Sequence, residues 1–245
     1  MYNVFSKYYD DLMGDVDYKA RTEYLYSLFC KFGKTPKLLL DLACGTGGFS
    51  NEFAKKGISV IGVDKSNEML CIAKEKSLSE NLDVLYICQS AENLELYETV
   101  DGAICCLDSL NHITDYNVFC EAFVKVSEFL NKGSLFIFDM NTVFKHEKVL
   151  GDNTFVVDSD NVYCVWQNFY SVKNKTTDII LDFFELEDGK YIRSSESFSE
   201  RAYDDSEIKS ALKNAGLTLL AVFGDMKDSA PKYDEQRKIF VARKE

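Results

Sequence analysis

The sequence predicts an α/β fold with three layers around a seven-stranded, mostly parallel sheet, and an antiparallel β insertion after the fifth strand. Three observations predict it. Short apolar strand patterns alternate with helical patterns up to residue 141, residues 153–200 follow period-two patterning, and a helix with two strands returns after residue 204. Near-continuously apolar strands are typical of parallel sheets covered on both faces. The 245 residues, 46% of them hydrophobic, suffice for such a core.

In the first half, helical and strand patterns are separated by glycine and proline. Gly33 and Pro36 close the first helix, and Gly57 ends the helix that follows a glycine-rich turn. The run 58–63 is short, apolar and β-branched, which predicts a buried strand. The predicted elements are helices over 17–32, 47–56, 67–76 and 116–130 and strands over 37–42, 58–63, 84–87, 103–106 and 135–138.

The second half begins with a predicted hairpin. Asp188-Gly189 separates two alternating runs, which is a strong signal for a tight β-turn. We assign 142–200 to the antiparallel insertion and expect it to cover a substrate site as a lid. Residues 1–141 and 201–245 are then expected to form the ligand-binding core.

The chain is predicted to return to the main sheet after this insertion. A helix is expected over 205–214, with Asp204 or Asp205 as its N-cap and Gly216 after its end. Strands over 217–223 and 239–242 complete the seven. No internal repeat is evident.

The composition restricts which classes of partner and which kinds of site we expect for this protein. A net charge of -12 opposes approach of a nucleic-acid backbone, so no nucleic-acid substrate is expected. Eight scattered cysteines without C-x-x-C spacing are interpreted as reduced core thiols, not as a zinc site or a disulfide framework. No stretch approaches the roughly 20 apolar residues of a membrane span, and the N-terminus lacks a long apolar signal segment. A soluble, cytoplasmic protein is expected.

The most informative segment is 38–49, where an apolar strand leads into a glycine turn and a helix. Gly45 and Gly47 allow a tight turn, and the N–H groups at the helix start can bind an anion. Ser50 stands where a dinucleotide fingerprint has its third glycine. Asp41 would repel a pyrophosphate but attract a cation. The sign of this charge favours S-adenosylmethionine, with its sulfonium and ammonium, over NAD or FAD.

Further candidate residues follow the next strands, because open α/β sheets bind ligands outside the carboxyl ends of their strands. Asp64 ends the second strand and can accept both hydroxyls of a ribose, while Ser66 or Asn67 remains to cap the next helix. Met69 can lie against adenine or belong to the core. The third exit, 89–92, is expected near the adenine edge and the fourth, 107–112, near the methyl group.

Together these motifs resemble those of the class I S-adenosylmethionine-dependent methyltransferases, which have a Rossmann-like fold. In particular, the chain is similar to a bacterial small-molecule group with an aromatic-rich start and an antiparallel insertion after the fifth strand. The segments of resemblance are Asp41-x-x-Cys44-Gly45-x-Gly47, Gly62-Val63-Asp64-x-Ser66-x-x-Met69-Leu70, Gln89-Ser90-Ala91-Glu92, Asp108-Ser109-Leu110-Asn111-His112, Tyr9-Asp10-Asp11-Leu12-Met13 and, more loosely, Glu200-Arg201-Ala202-Tyr203-Asp204.

The resemblance implies a role for each matched position. Asp41 and the two glycines would line the methionine end, Asp64 would take the ribose, Tyr9 would close over the cofactor and 107–109 would flank the sulfur. Ser90 stands where many relatives have an acid that reads adenine, so Ser90, Glu92 or the backbone at Ala91 is left for that task. The predicted cofactor-binding residues are Tyr9, Asp41, Ala43, Gly45, Gly47, Asp64, Lys65, Met69, Ser90, Ala91, Glu92, Leu107 and Asp108.

Methyl transfer is an in-line displacement that depends on alignment, and no metal is expected. An amine or hydroxyl acceptor must lose a proton, and His112 is the predicted base because imidazole titrates near neutrality. His112 can alternatively be a packing residue, and His146 is a weaker candidate. Asp108, Asp139 and Asn141 could instead hold Mg²⁺, as in catechol-type methylation.

The predicted activity is therefore methyl transfer to a nitrogen or oxygen atom of a small molecule. The Asn/Asp-Pro-Pro-aromatic loop of enzymes that methylate adenine or glutamine amides is absent. Two alternatives stay open, a non-catalytic module that binds S-adenosylmethionine or S-adenosylhomocysteine, and an NAD-linked oxidoreductase. Arg193 and Arg201 are candidates for binding a substrate carboxylate. The candidate aromatic wall of the acceptor pocket comprises Trp166, Phe169, Tyr170, Phe183, Phe184 and Tyr191.

Overall fold

The computed structural model describes residues 3–159 and 162–245. The helices are α1 (Asn3–Leu12), α2 (Tyr18–Phe32), α3 (Gly48–Lys55), α4 (Asn67–Ser79), α5 (Tyr116–Phe129) and α6 (Asp205–Asn214). The strands are β1 (Leu38–Leu42), β2 (Ser59–Asp64), β3 (Val84–Cys88), β4 (Val100–Cys105), β5 (Leu130–Asn141), β6 (Thr154–Asp158), β7 (Val162–Ser171), β8 (Thr176–Glu187), β9 (Lys190–Arg201), β10 (Leu217–Gly224) and β11 (Arg237–Lys244).

The main sheet has seven strands in the order β10-β11-β5-β4-β1-β2-β3. Strands β1 to β5 pair in parallel, and β11 runs antiparallel to both β5 and β10. The predicted three-layer, Rossmann-like α/β fold is confirmed. The strand order reverses between β1 and β4, and the crevice outside that point is where open α/β sheets bind ligands.

Apolar side chains cover both faces of this sheet. On one face, α5 and α6 bury an aromatic cluster that includes Phe119, Phe123 and Phe138. On the other face, α2 and α3 bury Phe29 and Phe53 against the sheet. Because both faces are packed, only the edge at the strand ends is left for polar chemistry.

The insertion forms a second, antiparallel sheet in the order β6-β7-β8-β9. The predicted hairpin joins β8 to β9, and both Asp188 (φ 48°) and Gly189 (φ 74°) have the left-handed backbone of a tight hairpin turn. Helix α1 packs on this sheet. Tyr8 stacks on Phe183, and its hydroxyl donates to Glu185 Oε1 at 2.8 Å.

Some elements differ from the sequence prediction. No helix or strand is predicted before residue 17. The start of the chain nevertheless forms α1, because its apolar face is buried against the second sheet. Strand β5 is longer than 135–138, and a π-helical turn at Lys145–Leu150 follows it. Asp204 is the N-cap of α6 in a capping box with Glu207.

The cysteines only partly match the prediction. All eight are free thiols. Only Cys105, Cys106 and Cys164 are buried, so the description of core thiols was wrong for the other five, whose side chains are at least partly exposed. Among the helices of residues 3–159 and 162–245, none is long and apolar enough to cross a membrane.

Candidate active site

A cavity of about 1070 Å³ follows the carboxyl ends of β1 to β4 and lies between the two sheets. Single small-molecule pockets commonly measure about 300–1,000 Å³. The cavity therefore lies at the upper end of the size range for small-molecule sites. Its walls come from the strand ends, from α1 and from the second sheet.

The glycine turn and Asp64 form one unit. Gly45 has a left-handed backbone (φ 53°), and its N–H donates to Asp64 Oδ2 at 2.8 Å. Asp64 Oδ1 accepts from the Ser66 N–H at 2.8 Å, and Ser66, not Asp64, caps α4 by accepting from the Met69 N–H. Since each carboxylate oxygen has a further lone pair, Asp64 can still accept ribose hydroxyls from the cavity.

Asp41 lies beneath the glycine turn and does not line the cavity. It is 1% exposed, its Oδ2 accepts from Ser50 Oγ at 2.6 Å, and burial raises its pKa to about 7. Ser50 therefore serves as the partner of Asp41. The Asp41 carboxyl group does not face the cavity, because the strand buries this side chain behind the turn. Its contact with the cofactor stays a prediction.

Helix α1 holds Tyr9 at the wall of the cavity. Asp10 accepts from Thr46 Oγ1 at 2.8 Å and from Lys76 Nζ at 2.9 Å. These bonds tie α1 to the glycine turn and to α4. The ring of Phe5 meets Tyr9 edge to face, with 5.4 Å between the centroids. The aromatic start of the chain is thereby fixed beside the strand ends.

The loop after β4 is strained and is held by two buried charges. Leu107 (φ 55°) and Asp108 (φ 53°) are consecutive non-glycine residues in the left-handed region, where such a residue costs roughly 1–3 kcal/mol. Their N–H groups donate to the two carboxylate oxygens of Asp139 at 2.8 and 2.7 Å. Arg237 bonds to Asp139 at 2.8 Å and also to Asp108. The Asp139–Arg237 pair thus fixes the loop that faces the reaction centre.

The charges of this group are mutually dependent. Burial disfavours ionisation of Asp108, but Arg237 holds the pKa of Asp108 below its ordinary value. Burial raises the pKa of Asp139 although Arg237 opposes that effect. Arg237 is nearly buried, and the two carboxylates keep it charged. The three side chains form one ionic unit.

His112 lies at the far end of the cavity with Glu200 of β9. Its Nε2 atom is 3.5 Å from Glu200 Oε1, and its ring is 5.0 Å from that of Phe198. Burial lowers the pKa of His112 to about 4, so its imidazole is neutral at pH 7. Asn111 links the turn that carries His112 to the end of β9, since its Nδ2 donates to the carbonyls of Arg201 (2.8 Å) and Asn141 (3.2 Å).

Known proteins share this architecture and sequence. A family model described as a methyltransferase domain matches residues 39–133. YqeM of Bacillus subtilis (strain 168), a protein named as a methyltransferase, is 31% identical over 100% of this chain and 97% of its own. The crystal structure of an S-adenosylmethionine-dependent methyltransferase from Clostridium acetobutylicum ATCC 824 matches with 32% identity, a TM-score of 0.88 and coverage of 99% and 98%.

The chain belongs to the class I S-adenosylmethionine-dependent methyltransferases. The methyltransferase also has the fold of S-adenosylmethionine-bound CalS10, an amino pentose methyltransferase from Micromonospora echinaspora, with a TM-score of 0.78, 17% identity and coverage of 97% and 96%. Members of this family use S-adenosylmethionine, so a nicotinamide cofactor is excluded. The protein is therefore an enzyme and not a non-catalytic sensor. The cavity fits this cofactor, because Gly45 of the glycine turn and the Asp64 carboxylate lie on one wall.

The cavity brings together most of the residues predicted from the sequence. Asp41 and Gly47 are absent from its wall, since both support the glycine turn from behind. His146 is fully buried and also lies off the wall. The predicted residues on the wall are Tyr9, Ala43, Gly45, Asp64, Lys65, Met69, Ser90, Ala91, Glu92, Leu107, Asp108 and His112.

The predicted acceptor wall was largely wrong. Of the six aromatic candidates only Trp166 lines the cavity, while Phe183 packs under α1 and Tyr191 is exposed. Alternation along a strand does not reveal which face is covered. Arg193 pairs with Asp182 and Arg201 pairs with Glu207, so neither arginine reaches the cavity.

Sequence reasoning assigned no site role to Glu200 or Arg237, and it considered Asp139 only as a metal ligand. One signal was present for Arg237. It opens an apolar strand that runs antiparallel to β5, and the first residue of such a strand lies at the carboxyl edge of its parallel neighbours. Glu200 lies near the end of a long strand in a segment that otherwise reads as sheet packing.

Gly47→Ala tests the glycine turn. Gly47 has φ 76°, and an added Cβ would lie 2.5 Å from Tyr86 Oη and 3.0 Å from Ala73 Cβ. Gly189→Ala is the matched control, because Gly189 has φ 74° and open space. The backbone strain shared by both variants is about 1–2 kcal/mol. We expect Gly47→Ala to lose more unfolding free energy in urea than Gly189→Ala, and to weaken S-adenosylhomocysteine binding in calorimetry. Equal losses with unchanged binding would contradict this role.

Proposed function

We propose that this methyltransferase transfers the methyl group of S-adenosylmethionine to a nitrogen or oxygen atom of a small molecule by direct in-line displacement. The observation that carries the proposal is the continuity of the cavity from the glycine turn to His112 and Glu200. Phe5, Trp166 and Phe198 line it at the acceptor end, and a concave site with an aromatic lining suits small molecules. The net charge of -12 further disfavours nucleic acid.

We assign S-adenosylmethionine, the methyl donor, to the end of the cavity at the glycine turn, where the predicted residues on the cavity wall bind it. When bound, S-adenosylmethionine supplies an electrophilic methyl group on a positively charged sulfur. Asp64 accepts from the ribose hydroxyls, Gly45 lies against the methionine end of the cofactor, and Met69 packs against adenine. Ser90, Ala91 and Glu92 flank the adenine edge, and Lys65 lies beside Asp64. Tyr9, Leu107 and Asp108 surround the methyl group.

His112 is assigned the role of base at the acceptor end. Its side chain is one quarter exposed, and that part faces the cavity. Because its pKa is lowered to about 4, the ring keeps a free lone pair at neutral pH. Proton transfer by a positioned side chain typically contributes about 10²–10⁴-fold to a rate. Alignment of the donor and the acceptor within the cavity supplies the remaining advantage.

The insertion, residues 142–200, is proposed to serve as the lid of the acceptor site. Trp166 of β7 and Phe198 of β9 both line the cavity from this sheet. CalS10, which has the same fold, is described as an amino pentose methyltransferase. A small-molecule acceptor under an aromatic lid is consistent with both observations.

A labelled-methyl experiment tests this function. The enzyme is incubated with methyl-labelled S-adenosylmethionine and a cell metabolite extract, and we expect label in a small-molecule fraction. An Asp64→Asn variant, expected to bind the donor weakly, controls for non-enzymatic transfer. Label found only in protein or nucleic acid would overturn the proposal.

A further inference from the structure

Glu200 lies between two histidines near the end of the cavity. Its Oε1 atom is 3.5 Å from His112 Nε2, and its Oε2 atom is 3.8 Å from His146 Nε2. Both distances exceed those of ordinary hydrogen bonds. Glu200 is 4% exposed, and the part that lines the cavity faces the acceptor end. A carboxyl group is thus presented to the acceptor in a nearly water-free setting.

Two polar atoms of this cluster lack partners among the described residues. Glu200 Oε2 and His146 Nε2 are buried without a hydrogen bond. His146 is fully buried, and its Nδ1 shares a hydrogen bond of 2.8 Å with Thr177 Oγ1. Native structures rarely leave buried polar groups unpaired. These two atoms face each other across 3.8 Å, behind the carboxyl group. A ligand in the cavity therefore meets the Oε1 side of Glu200, where a cationic group would offset the charge of the carboxylate.

The neighbouring charges do not supply that group. Arg237 bonds to Asp108 and Asp139, and Lys145 donates to Asn141 Oδ1 at 3.0 Å. In contrast, one carboxylate oxygen each of Asp108 and Glu200 and one ring nitrogen of His112 lie within 4.8 Å of one another. Each of these groups keeps a lone pair that can accept a hydrogen bond, also when Glu200 is protonated. The arrangement suits a ligand with several N–H donors, and a positive charge on that ligand favours the carboxylate form of Glu200.

We infer that Glu200 and His112 bind the ammonium group of the methyl acceptor, with His146 behind Glu200, so that the acceptor is a primary or secondary amine. This inference rests on the proposed function, and it narrows the acceptor atom from nitrogen or oxygen to nitrogen. Phe198 and Trp166 line the same cavity and can contact the cation through their rings. A hydroxyl acceptor would leave most of these hydrogen-bond acceptors unpaired, and a carboxylate would be repelled.

The reaction balances with one proton transfer. An ammonium proton passes to the Nε2 lone pair of His112, whose basicity in the complex is raised by the ionised Glu200 at 3.5 Å. The imidazolium then pairs with Glu200, and the neutral amine stays hydrogen-bonded to the carboxylate. The freed nitrogen lone pair forms the N–C bond, and the electrons of the C–S bond stay on sulfur. The product is a methylated ammonium and S-adenosylhomocysteine, and His112 later returns its proton to solvent.

The ionisation of Glu200 provides an independent readout. Burial and Asp108 raise its pKa to about 8, while Lys145, Arg237 and Asn141 oppose the rise. Near pH 7 the empty site therefore holds a protonated Glu200, and its neighbours His112 and His146 are neutral. Because an ammonium favours the carboxylate, its binding should release about one proton at pH 7 and much less at pH 9.

Calorimetry on the S-adenosylhomocysteine complex tests the inference without turnover. The probes are benzylamine, benzyl alcohol and benzoate, which share a ring and differ in charge. At pH 7 we expect benzylamine to bind roughly tenfold or more tightly than benzyl alcohol, as hydrogen bonds to charged groups imply. Titrations in two buffers of different ionisation enthalpy should give about one proton released for benzylamine and none for the alcohol.

Variants complete the test. Glu200→Gln should abolish the preference for benzylamine and the proton release, while it binds S-adenosylhomocysteine as the wild type does. Glu187→Gln, an exposed change in the β8–β9 hairpin, should retain both properties. Equal wild-type binding of benzylamine and benzyl alcohol, or no proton release, would overturn the inference even if Glu200→Gln failed to fold. A stoichiometric divalent metal that depends on Glu200 would also overturn it, because these atoms would then be metal ligands.

The labelled-methyl experiment separates this inference from the proposed function. Label on an oxygen atom of a small molecule would refute the amine site and leave the function standing. Label absent from all small molecules would refute the function, whatever benzylamine does. Label on nitrogen supports both.

Discussion

Replacing Arg237 by Met is expected to cost about 3–5 kcal/mol of unfolding free energy at pH 7.5, the range observed when one partner of a buried ion pair is removed. Arg237 is 11% exposed and bonds to both Asp108 and Asp139. Its loss leaves two nearby carboxylates without their cation. The strained turn at Leu107 and Asp108 loses part of its support, so S-adenosylhomocysteine should also bind more weakly. Urea unfolding and calorimetry measure the two effects.

The pH dependence of Arg237→Met has a definite sign. Without the guanidinium, burial raises the folded-state pKa of Asp108 above the ordinary value of about 3.9 and raises that of Asp139 further. A carboxyl group whose pKa is raised in the folded state lowers the free energy of unfolding as the pH rises from its unfolded-state pKa through its folded-state pKa. The deficit of the variant relative to the wild type should therefore be smaller at pH 5.5 than at pH 7.5.

Arg193→Met is the matched control for this variant. Arg193 also forms a two-pronged pair with a carboxylate, that of Asp182, but its side chain is 61% exposed. Exposed ion pairs contribute about 0–1 kcal/mol. If Arg237→Met cost no more than Arg193→Met, the ionic unit at the strand ends would not hold the loop.

Replacing His112 by Asn is expected to lower the rate of methyl transfer roughly 10²–10⁴-fold, with little change in S-adenosylhomocysteine affinity. His112 lines the acceptor end beside Glu200, so its loss should affect kcat more than donor binding. Once the acceptor has been identified, steady-state rates and calorimetry provide both values. The Glu187→Gln variant controls for changes in the second sheet.

The pH profile distinguishes a base from a packing residue. Burial holds the pKa of His112 to about 4, so its lone pair is lost only as pH falls toward that value. The kcat/KM of the wild type, which reports the unliganded enzyme, should therefore lack an inflection from His112 near 6.5. The defect of His112→Asn should shrink at high pH, where solvent removes the acceptor proton. An unchanged rate in this variant would assign His112 to packing alone.

Local chemistry made much of the fold predictable. The β1 strand and its glycine turn, the Ser66 cap and the Asp188-Gly189 hairpin each depend on backbone preferences within a few residues. The order of apolar strands and helices then determined the parallel sheet and the common edge of its strand ends. The donor half of the site was predictable because its motifs directly follow strands.

The acceptor half was not predictable in this way, because it depends on which faces meet. Asp139 and Arg237 are 98 residues apart in sequence, and Asn111 and Arg201, which bring Glu200 to His112, are 90 apart. Period-two patterning predicts strands, but it leaves open which alternate residues are covered. In the same way, the sequence of α1 does not specify which of its sides packs against the second sheet.

The sequence by itself determined the α/β fold, the donor and the strand exits that meet at the cavity, because turns, caps and apolar periods act over short distances. Only the tertiary structure decided that Asp41 lies behind the glycine turn, that Arg237 holds the loop after β4, and that Glu200 meets His112. These three outcomes depend on burial and on charge pairing between distant strands. The free energies of such contacts are set by three-dimensional packing, which no local pattern specifies.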